Sequence, residues 1–412
     1  MIVPRFLAGC FFFSFFLHLP LRAEPSLLEK RKGHKTELIE KKNDDTPPPQ
    51  PPEEVFGLIK YPAPTGELSA YLSKESESKE PGPAIIWLTG GFPVSSPGEY
   101  LWMETSIDNE QSARIYRLKG ITMMFPHLRG RSGSPGQIEN FYGEVNDVIS
   151  ALDYLEKLKR VDPRRIYLGG HSTGGTLALL VAAATDRFAG VISLGPTSDH
   201  YGKDGMVYKW NAKERDFRSP IKHLASIKSP TIIAEGEHGN KGALLELRKA
   251  GEKNPNITTA VIKDGDHFQI IHPLNNMIAD AILTSKEGNL EIEQDVLENC
   301  YATHSNQKRE AQDLETLAHI RSNGTDIKSS QTLTFFVVSE KELGPEQKKA
   351  FTSAGFQSLK SKKEEDQASS YFVHRLNRKM IPMNLEELFE FSKKASSISM
   401  AYKFHYNGWT IE

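Results

Sequence analysis

Leu168-Gly-Gly-His-Ser-Thr-Gly-Gly175 is the stretch on which the reading of this chain turns. It contains Gly170-His171-Ser172-Thr173-Gly174, a G-x-S-x-G pentapeptide. Arg165-Ile-Tyr-Leu168 before it reads as a buried strand, and Thr176-Leu-Ala-Leu-Leu-Val-Ala-Ala183 after it as an apolar helix. A serine on so sharp a strand-to-helix turn has strained backbone angles. Side chains at the flanking positions would collide, which is what the glycines prevent. The turn lifts the hydroxyl above the sheet and aims helix N-terminal N–H groups at a developing oxyanion. The plain alternative is a turn of small residues that serves close packing alone.

Short apolar runs flank this turn on both sides. Ala84–Leu88, Ile121–Phe125, Val191–Leu194, Thr231–Ala234 and Thr259–Ile262 read as strands. Glu144–Leu158 carries Val145, Val148, Ile149, Leu152, Leu155 and Leu158 at helical spacing, and Gly175–Ala184 and Ala243–Ala250 also read as helices. Alternation of the two predicts crossover units and a mostly parallel sheet, an α/β class. A serine needs a base. His267, in Val261-Ile-Lys-Asp-Gly-Asp-His-Phe268, follows a predicted strand and comes after the serine in chain order. A surface histidine beside Asp266 is the ordinary alternative.

With these pieces in view, residues 55–285 resemble an α/β-hydrolase of the prolyl-oligopeptidase or dienelactone-hydrolase type. Leu88-Thr-Gly-Gly-Phe-Pro93 resembles that family's oxyanion loop, Phe125–Gly136 its RG-x-x-G segment, Asn146–Leu155 the following helix, and Asp162–Ser172 the approach to the nucleophile. The resemblance implies ester, thioester or amide hydrolysis through an acyl-serine, with Ser172 as nucleophile, His267 as base, no metal and no organic cofactor. The N–H groups of Thr173 and Gly91 are the expected oxyanion donors, with Phe92 as the fallback. Arg129 and Arg131 are read as loop braces or as carboxylate-orienting groups. The acid departs from the pattern. The family places an aspartate three residues after the glycine that closes this strand, and here Gly236 is followed at that spacing by Gly239. Glu235 is the first candidate, Glu237 the second and Asp199 the third.

The ends carry different signals. Residues 1–23 pair Arg5 with an apolar run from Phe6 to Leu21 and a small residue at Ala23, the layout of a signal peptide, cleaved or kept as a membrane anchor. Export, to a periplasmic, secreted or membrane-anchored location, is expected from it. Residues 24–53 are charged and then proline-rich, with Thr46-Pro-Pro-Pro-Gln-Pro-Pro52, and are expected to be an extended spacer. The hydrolase domain is placed at 54–285, a helical connector at 286–307 and a last domain at 308–412. Tyr201, Met206, Tyr208, Trp210 and Phe217 either line an acyl or side-chain pocket or cover the sheet edge.

In the last domain, Thr332–Val338, Phe356–Leu359, Tyr371–Leu376 and Ile398–Tyr406 read as strands, and Pro345–Ser353 and a segment capped by Asn384 as helices. That order, β-α-β-β-α-β, matches a ferredoxin-like α+β sandwich. The tail resembles the family of regulator of ribonuclease E activity B through Leu317–Ile327, Ala354-Gly-Phe356 and Tyr406-Asn-Gly-Trp409. Membership implies a protein-binding inhibitor; export would deny it a cytoplasmic ribonuclease.

Composition narrows the partners. The 412 residues carry 51 Lys+Arg against 53 Asp+Glu, so no basic excess draws nucleic acid. Two cysteines, Cys10 and Cys300, exclude a disulfide framework and a zinc site built mainly of cysteine. The leading reading is a serine hydrolase acting on a small ester or peptide, fused to a module for a protein partner. The competing one is a non-catalytic binding or inhibitor protein that keeps the hydrolase shell and acts through the C-terminal module.

Overall fold

The first sheet element is a hairpin that hydropathy does not announce. Strands β1 (Phe56–Ala63) and β2 (Gly66–Ser73) pair antiparallel from Phe56↔Ser73 to Ala63↔Gly66. Pro62 and the polar Lys60, Glu67 and Ser69 blur its alternation. The computed structural model describes residues 24–74, 80–91, 96–103, 105–200, 202, 205–305, 313, 316, 331–339, 341–365, 370–380, 385–401 and 405–411. The region read as a signal peptide, Phe92, Tyr201, the Leu317–Ile327 segment and Asn384 lie outside them.

Six further strands complete the first sheet: β3 (Gly82–Leu88), β4 (Thr122–Pro126), β5 (Val161–His171), β6 (Gly190–Leu194), β7 (Thr231–Gly236) and β8 (Ile257–Ile262). Their order is β1-β2-β4-β3-β5-β6-β7-β8. β2 pairs antiparallel with β4, and every pair from β4 to β8 is parallel. Both faces of the parallel part are covered, which is why these strands read as continuous apolar runs. Helices α1 (Leu27–Arg31), α2 (Ile115–Leu118), α3 (Glu144–Leu155), α4 (Thr173–Ala184), α5 (Ala212–Arg218), α6 (Lys241–Gly251) and α7 (Ile271–Thr284) precede, link or follow these strands. On β3, Ala84, Ile86 and Leu88 join one buried layer with α3 and α4, while Ile85 and Trp87 join the other. That second layer takes Tyr116 and helix α7 (Ile271–Thr284), which the sequence reading had not identified. Eleven of the twelve residues of α4 are buried, so the helix behind Ser172 is a core helix on all sides.

Residues 24–53 are not a free spacer: Leu27–Arg31 is a short helix capped by Ser26, and the residues after it run mostly without regular structure. Leu27 is wholly buried in the core beside α4, a burial that contributes about 2 kcal/mol. The buried Arg31 guanidinium donates to the carbonyls of Tyr142 (2.8 Å), Phe141 (3.3 Å) and Phe217 (2.5 Å). His34 Nε2 meets Glu214 at 2.7 Å. The N–H groups of Ile39 and Glu40 donate to Val207 O, Asp44 exchanges backbone bonds with Gly130 and Gly133, and the Tyr71 hydroxyl donates to Pro49 O at 2.8 Å. These residues form a strap across the 128–142 and 207–218 loops. Its adhesion is mostly main-chain and ionic, which a hydropathy reading does not register.

The last domain is a four-stranded antiparallel sheet of β9 (Gln331–Ser339), β10 (Ser358–Glu365), β11 (Ser370–Met380) and β12 (His405–Ile411), in the order β10-β11-β9-β12. Helices Pro345–Ser353 and Leu385–Ala401 give the β-α-β-β-α-β order of a ferredoxin-like α+β unit. One boundary differs from expectation. Ile398–Ala401 closes the second helix instead of opening the last strand. Leu388, Phe391 and Ala395 are buried and Ile398 packs against them, a helical period that outweighs the alternation of Met400 and Tyr406.

Candidate active site

Ser172 lies between the end of β5 and the start of α4, at φ 56° and ψ −120°. A serine in this left-handed region is strained, and its N–H is anchored by donation to Leu194 O at 2.7 Å. The glycines around it are spatial necessities. A β-carbon on Gly170 would lie 2.5 Å from Gly174 O, and one on Gly174 would overlap Leu88 O. The turn can close only because both are bare.

His267 follows β8 and points its ring back towards β7. Its Nδ1 donates to Glu235 Oε2 at 2.9 Å. Glu235 is 1% exposed, and its other oxygen accepts the Gly236 N–H at 2.7 Å. Space for the pair is made by glycines again. A β-carbon on Gly195 would come 2.5 Å from His267 Cε1, and one on Gly239 would overlap Glu235 Oε1. The Glu235 carboxylate thus occupies the volume beside position 239. The other two carboxylates considered for this role are engaged elsewhere. Glu237 meets Lys241 at 3.5 Å on the surface. Asp199 is bound by Arg215 and by Ser219 Oγ at 2.5 Å; burial would raise its pKa, but these partners override burial and hold it below the ordinary value.

Thr173 is the first residue of α4, and its Oγ1 donates to Gly91 O at 2.5 Å, tying the loop after β3 to the helix start. Gly91 has φ 111°, a conformation that favours glycine. A cavity of about 410 Å³ opens beside Ser172, lined by Gly90, Gly91, Tyr100, Gln111 and Phe268, mostly with apolar surface. A second, of about 470 Å³, lies beyond Thr173 and is lined by Ser198, Asp199, His200, Asn240 and Glu246.

His171 was not among the residues singled out. It is fully buried, its ring centroid is 4.5 Å from that of His267, and its Nε2 donates to the His267 carbonyl at 2.8 Å. Burial, reinforced by the neighbouring His267, pushes its pKa down to about 3. Position x of a G-x-S-x-G carries no residue requirement, so the motif gives no signal for it.

Arg129 is a brace. Its guanidinium holds Asp147 through both nitrogens, at 2.7 and 2.9 Å, and Glu139 at 2.8 Å. Burial alone would lower its pKa, but the Asp147 pairing overrides this and holds it above the ordinary value. Tyr208 and Phe217 are buried under the strap, Tyr208 beneath the Arg218 guanidinium at 3.7 Å, and Trp210 is exposed. Cys300 is buried, and burial pushes its thiol up to about 12, away from thiolate character. Glu237, His238 and Asp264 bring one potential ligand atom each within 4.8 Å of the others on the surface behind the acid loop.

Comparisons with known proteins agree with this geometry in part of the chain. Residues 109–241 match the model of the prolyl oligopeptidase family, and residues 310–410 that of regulator of ribonuclease activity B. The uncharacterized peptidase YuxL of Bacillus subtilis is 25% identical over 197 residues, 39% of this chain and 30% of that protein. The uncharacterized peptidase YtmA of the same organism is 27% identical over 184 residues, 37% of this chain and 71% of that one. The polyketide transferase ATR5 of Stachybotrys chlorohalonatus is 30% identical over 121 residues, 29% of this chain and 37% of that one. Matched stretches thus span about a third of YuxL and of ATR5. Among solved structures, Pyrococcus horikoshii acylaminoacyl peptidase aligns with TM-score 0.47 and 16% identity, over 60% of this chain and 45% of that one. Within the first folded domain, whose strand order is that of an α/β-hydrolase, residues 109–241 match the prolyl oligopeptidase family, and residues 310–410 match regulator of ribonuclease activity B.

Proposed function

We propose that the first domain is a serine hydrolase of ester or peptide bonds, with Ser172, His267 and Glu235 as its triad. The observation that carries this is the 2.9 Å contact of His267 Nδ1 with the buried Glu235, with His267 packed on His171, the residue that precedes the strained serine at a strand-to-helix turn. In the first half-reaction Ser172 Oγ attacks the carbonyl carbon while His267 Nε2 takes its proton. The Nδ1–H to Glu235 fixes the tautomer and stabilises the imidazolium. The N–H groups of Thr173 and Gly91 receive the oxyanion. Collapse breaks the bond to the leaving group, which takes the proton from His267. Water, deprotonated by the same nitrogen, then releases the acid and restores Ser172. The mostly apolar cavity at Tyr100 and Phe268 supports an apolar group next to the scissile bond. The match to a regulator family supports a protein-binding role for residues 308–412, and residues 1–23 support export.

A fluorophosphonate probe tests the reading. Labelling of the folded wild type that disappears in Ser172→Ala is expected; folded protein that never labels would leave a binding protein with a hydrolase shell.

A further inference from the structure

We infer that His171, the residue immediately before the nucleophile, is a positioning residue for the base: through its Nε2–H bond to the His267 carbonyl it sets the main chain from which the His267 imidazole is hung. The inference rests on the serine-hydrolase reading and extends it to a residue with no assigned role.

The contacts of the His171 ring and of its neighbours carry the argument. His171 Nε2 is 2.8 Å from His267 O, and a carbonyl only accepts, so this nitrogen must bear the proton. A neutral imidazole then presents Nδ1 as an acceptor. Gln111 sits there, with its amide nitrogen 3.1 Å and its amide oxygen 3.2 Å from Nδ1; with the proton on Nε2 the nitrogen is the donor, and it also reaches Asn109 Oδ1 at 2.8 Å. Asn109 and Gln111 thus hold the ring in the tautomer that the His267 carbonyl needs. The two rings also pack at a centroid distance of 4.5 Å, with Phe268 5.6 Å from the ring of His171 and 4.9 Å from that of His267.

This arrangement addresses a geometric demand. His267 stands on a loop after β8, two strands beyond β6 and three beyond β5, the strand that delivers Ser172. A loop base must hold its ring within a fraction of an ångström for proton transfer. Glu235 fixes the ring at Nδ1, and the His238 N–H to Gly265 O and the Phe268 and Gln269 N–H groups to Asp266 Oδ1 hold the loop on either side, but none of these bonds engages the His267 carbonyl itself. His171 supplies the second fixed point, and because it is adjacent to Ser172 it ties the base directly to the nucleophile's own turn.

Two substitutions separate donor position from bulk. His171→Gln places an amide N–H near the former Nε2, whereas His171→Asn ends near Nδ1 and falls short of the carbonyl. With a chromogenic ester, His171→Asn is expected to lower kcat about 10- to 100-fold with KM changed less than about twofold. His171→Gln should recover most of that loss. The low-field proton signal of the His267–Glu235 bond should broaden or vanish in the Asn variant and persist in the Gln variant. Equal kcat for wild type and both variants overturns the inference, as does a KM change that accounts for the whole loss. Ser172-dependent fluorophosphonate labelling of the wild type keeps this outcome separate from failure of the hydrolase reading, in which no labelling occurs.

Discussion

Glu235 fills the space that a side chain at Gly239 would need: a β-carbon at position 239 overlaps Glu235 Oε1 and lies 2.8 Å from its carboxyl carbon. The two positions are mutually exclusive as sources of the acid. An aspartate at 239 requires a small residue at 235, and the longer glutamate in the strand requires glycine at 239.

A double exchange tests that exclusion. Glu235→Gln should lower kcat by roughly 10^2 to 10^4 with folding intact, since it keeps size and removes the charge that stabilises the imidazolium. Gly239→Asp alone should destabilise the fold. Glu235→Ala combined with Gly239→Asp should recover activity above Glu235→Ala alone. Glu237→Gln should cost little, because that carboxylate faces Lys241. A larger loss for Glu237→Gln than for Glu235→Gln would refute the assignment.

Ser172→Ala and His267→Ala should each lower kcat by roughly 10^4 or more, and the double variant should lose little beyond either. Losses that multiply would show that the two side chains do not act as one unit.

Removal of the strap should be costly. Arg31→Ala leaves the carbonyls of Phe141, Tyr142 and Phe217 without their donor, and truncation to residue 54 also uncovers the Leu27 site. Urea denaturation should show Arg31→Ala less stable by about 1–3 kcal/mol, and the truncated chain should aggregate or melt earlier. Unchanged midpoints would mean the strap merely rests on the surface.

Stability should fall on mild acidification. Burial pushes His127 down to about 4 and His171 to about 3, below the value of about 6.5 in an unfolded chain. Between those limits the unfolded chain binds protons that the folded chain refuses, so this stability is complete above about pH 6.5 and declines towards pH 4. His127→Phe should flatten the decline. An identical slope in that variant would locate the sensitivity elsewhere.

Fusion of residues 1–53 to a reporter active only outside the cytoplasm should give signal if residues 1–23 direct export. Reporter retained inside the cell would contradict that expectation.

Local constraint explains what the sequence made legible. The turn at Ser172 needs glycine at several fixed positions, so its backbone geometry is written into residue identity. The strands from β3 to β8 are buried on both faces and show as apolar runs. Glu235 could be narrowed to the strand end because Gly239 removed the usual position, yet the choice over Glu237 depended on where the strand ends: Glu235 is still within β7 and buried, whereas Glu237 lies past Gly236 in the turn and meets Lys241 at the surface. His171 and the strap stayed hidden for another reason. Their bonds run to main-chain carbonyls, and a carbonyl leaves no mark in a sequence. The displaced start of β12 came from a stretch whose apolar residues suit both periods.

The strap also changes where the hydrolase unit of this chain begins. A hydropathy profile would cut at residue 54, just ahead of β1, and treat what precedes as a tether whose length sets reach. With Leu27 in the core and Arg31 locked to two loops, residues 27–53 contribute shape and no slack. Gene rearrangement or engineering that transplants the hydrolase as a cassette must carry them along, and anything joined ahead of residue 24 is mounted at one fixed point on its surface.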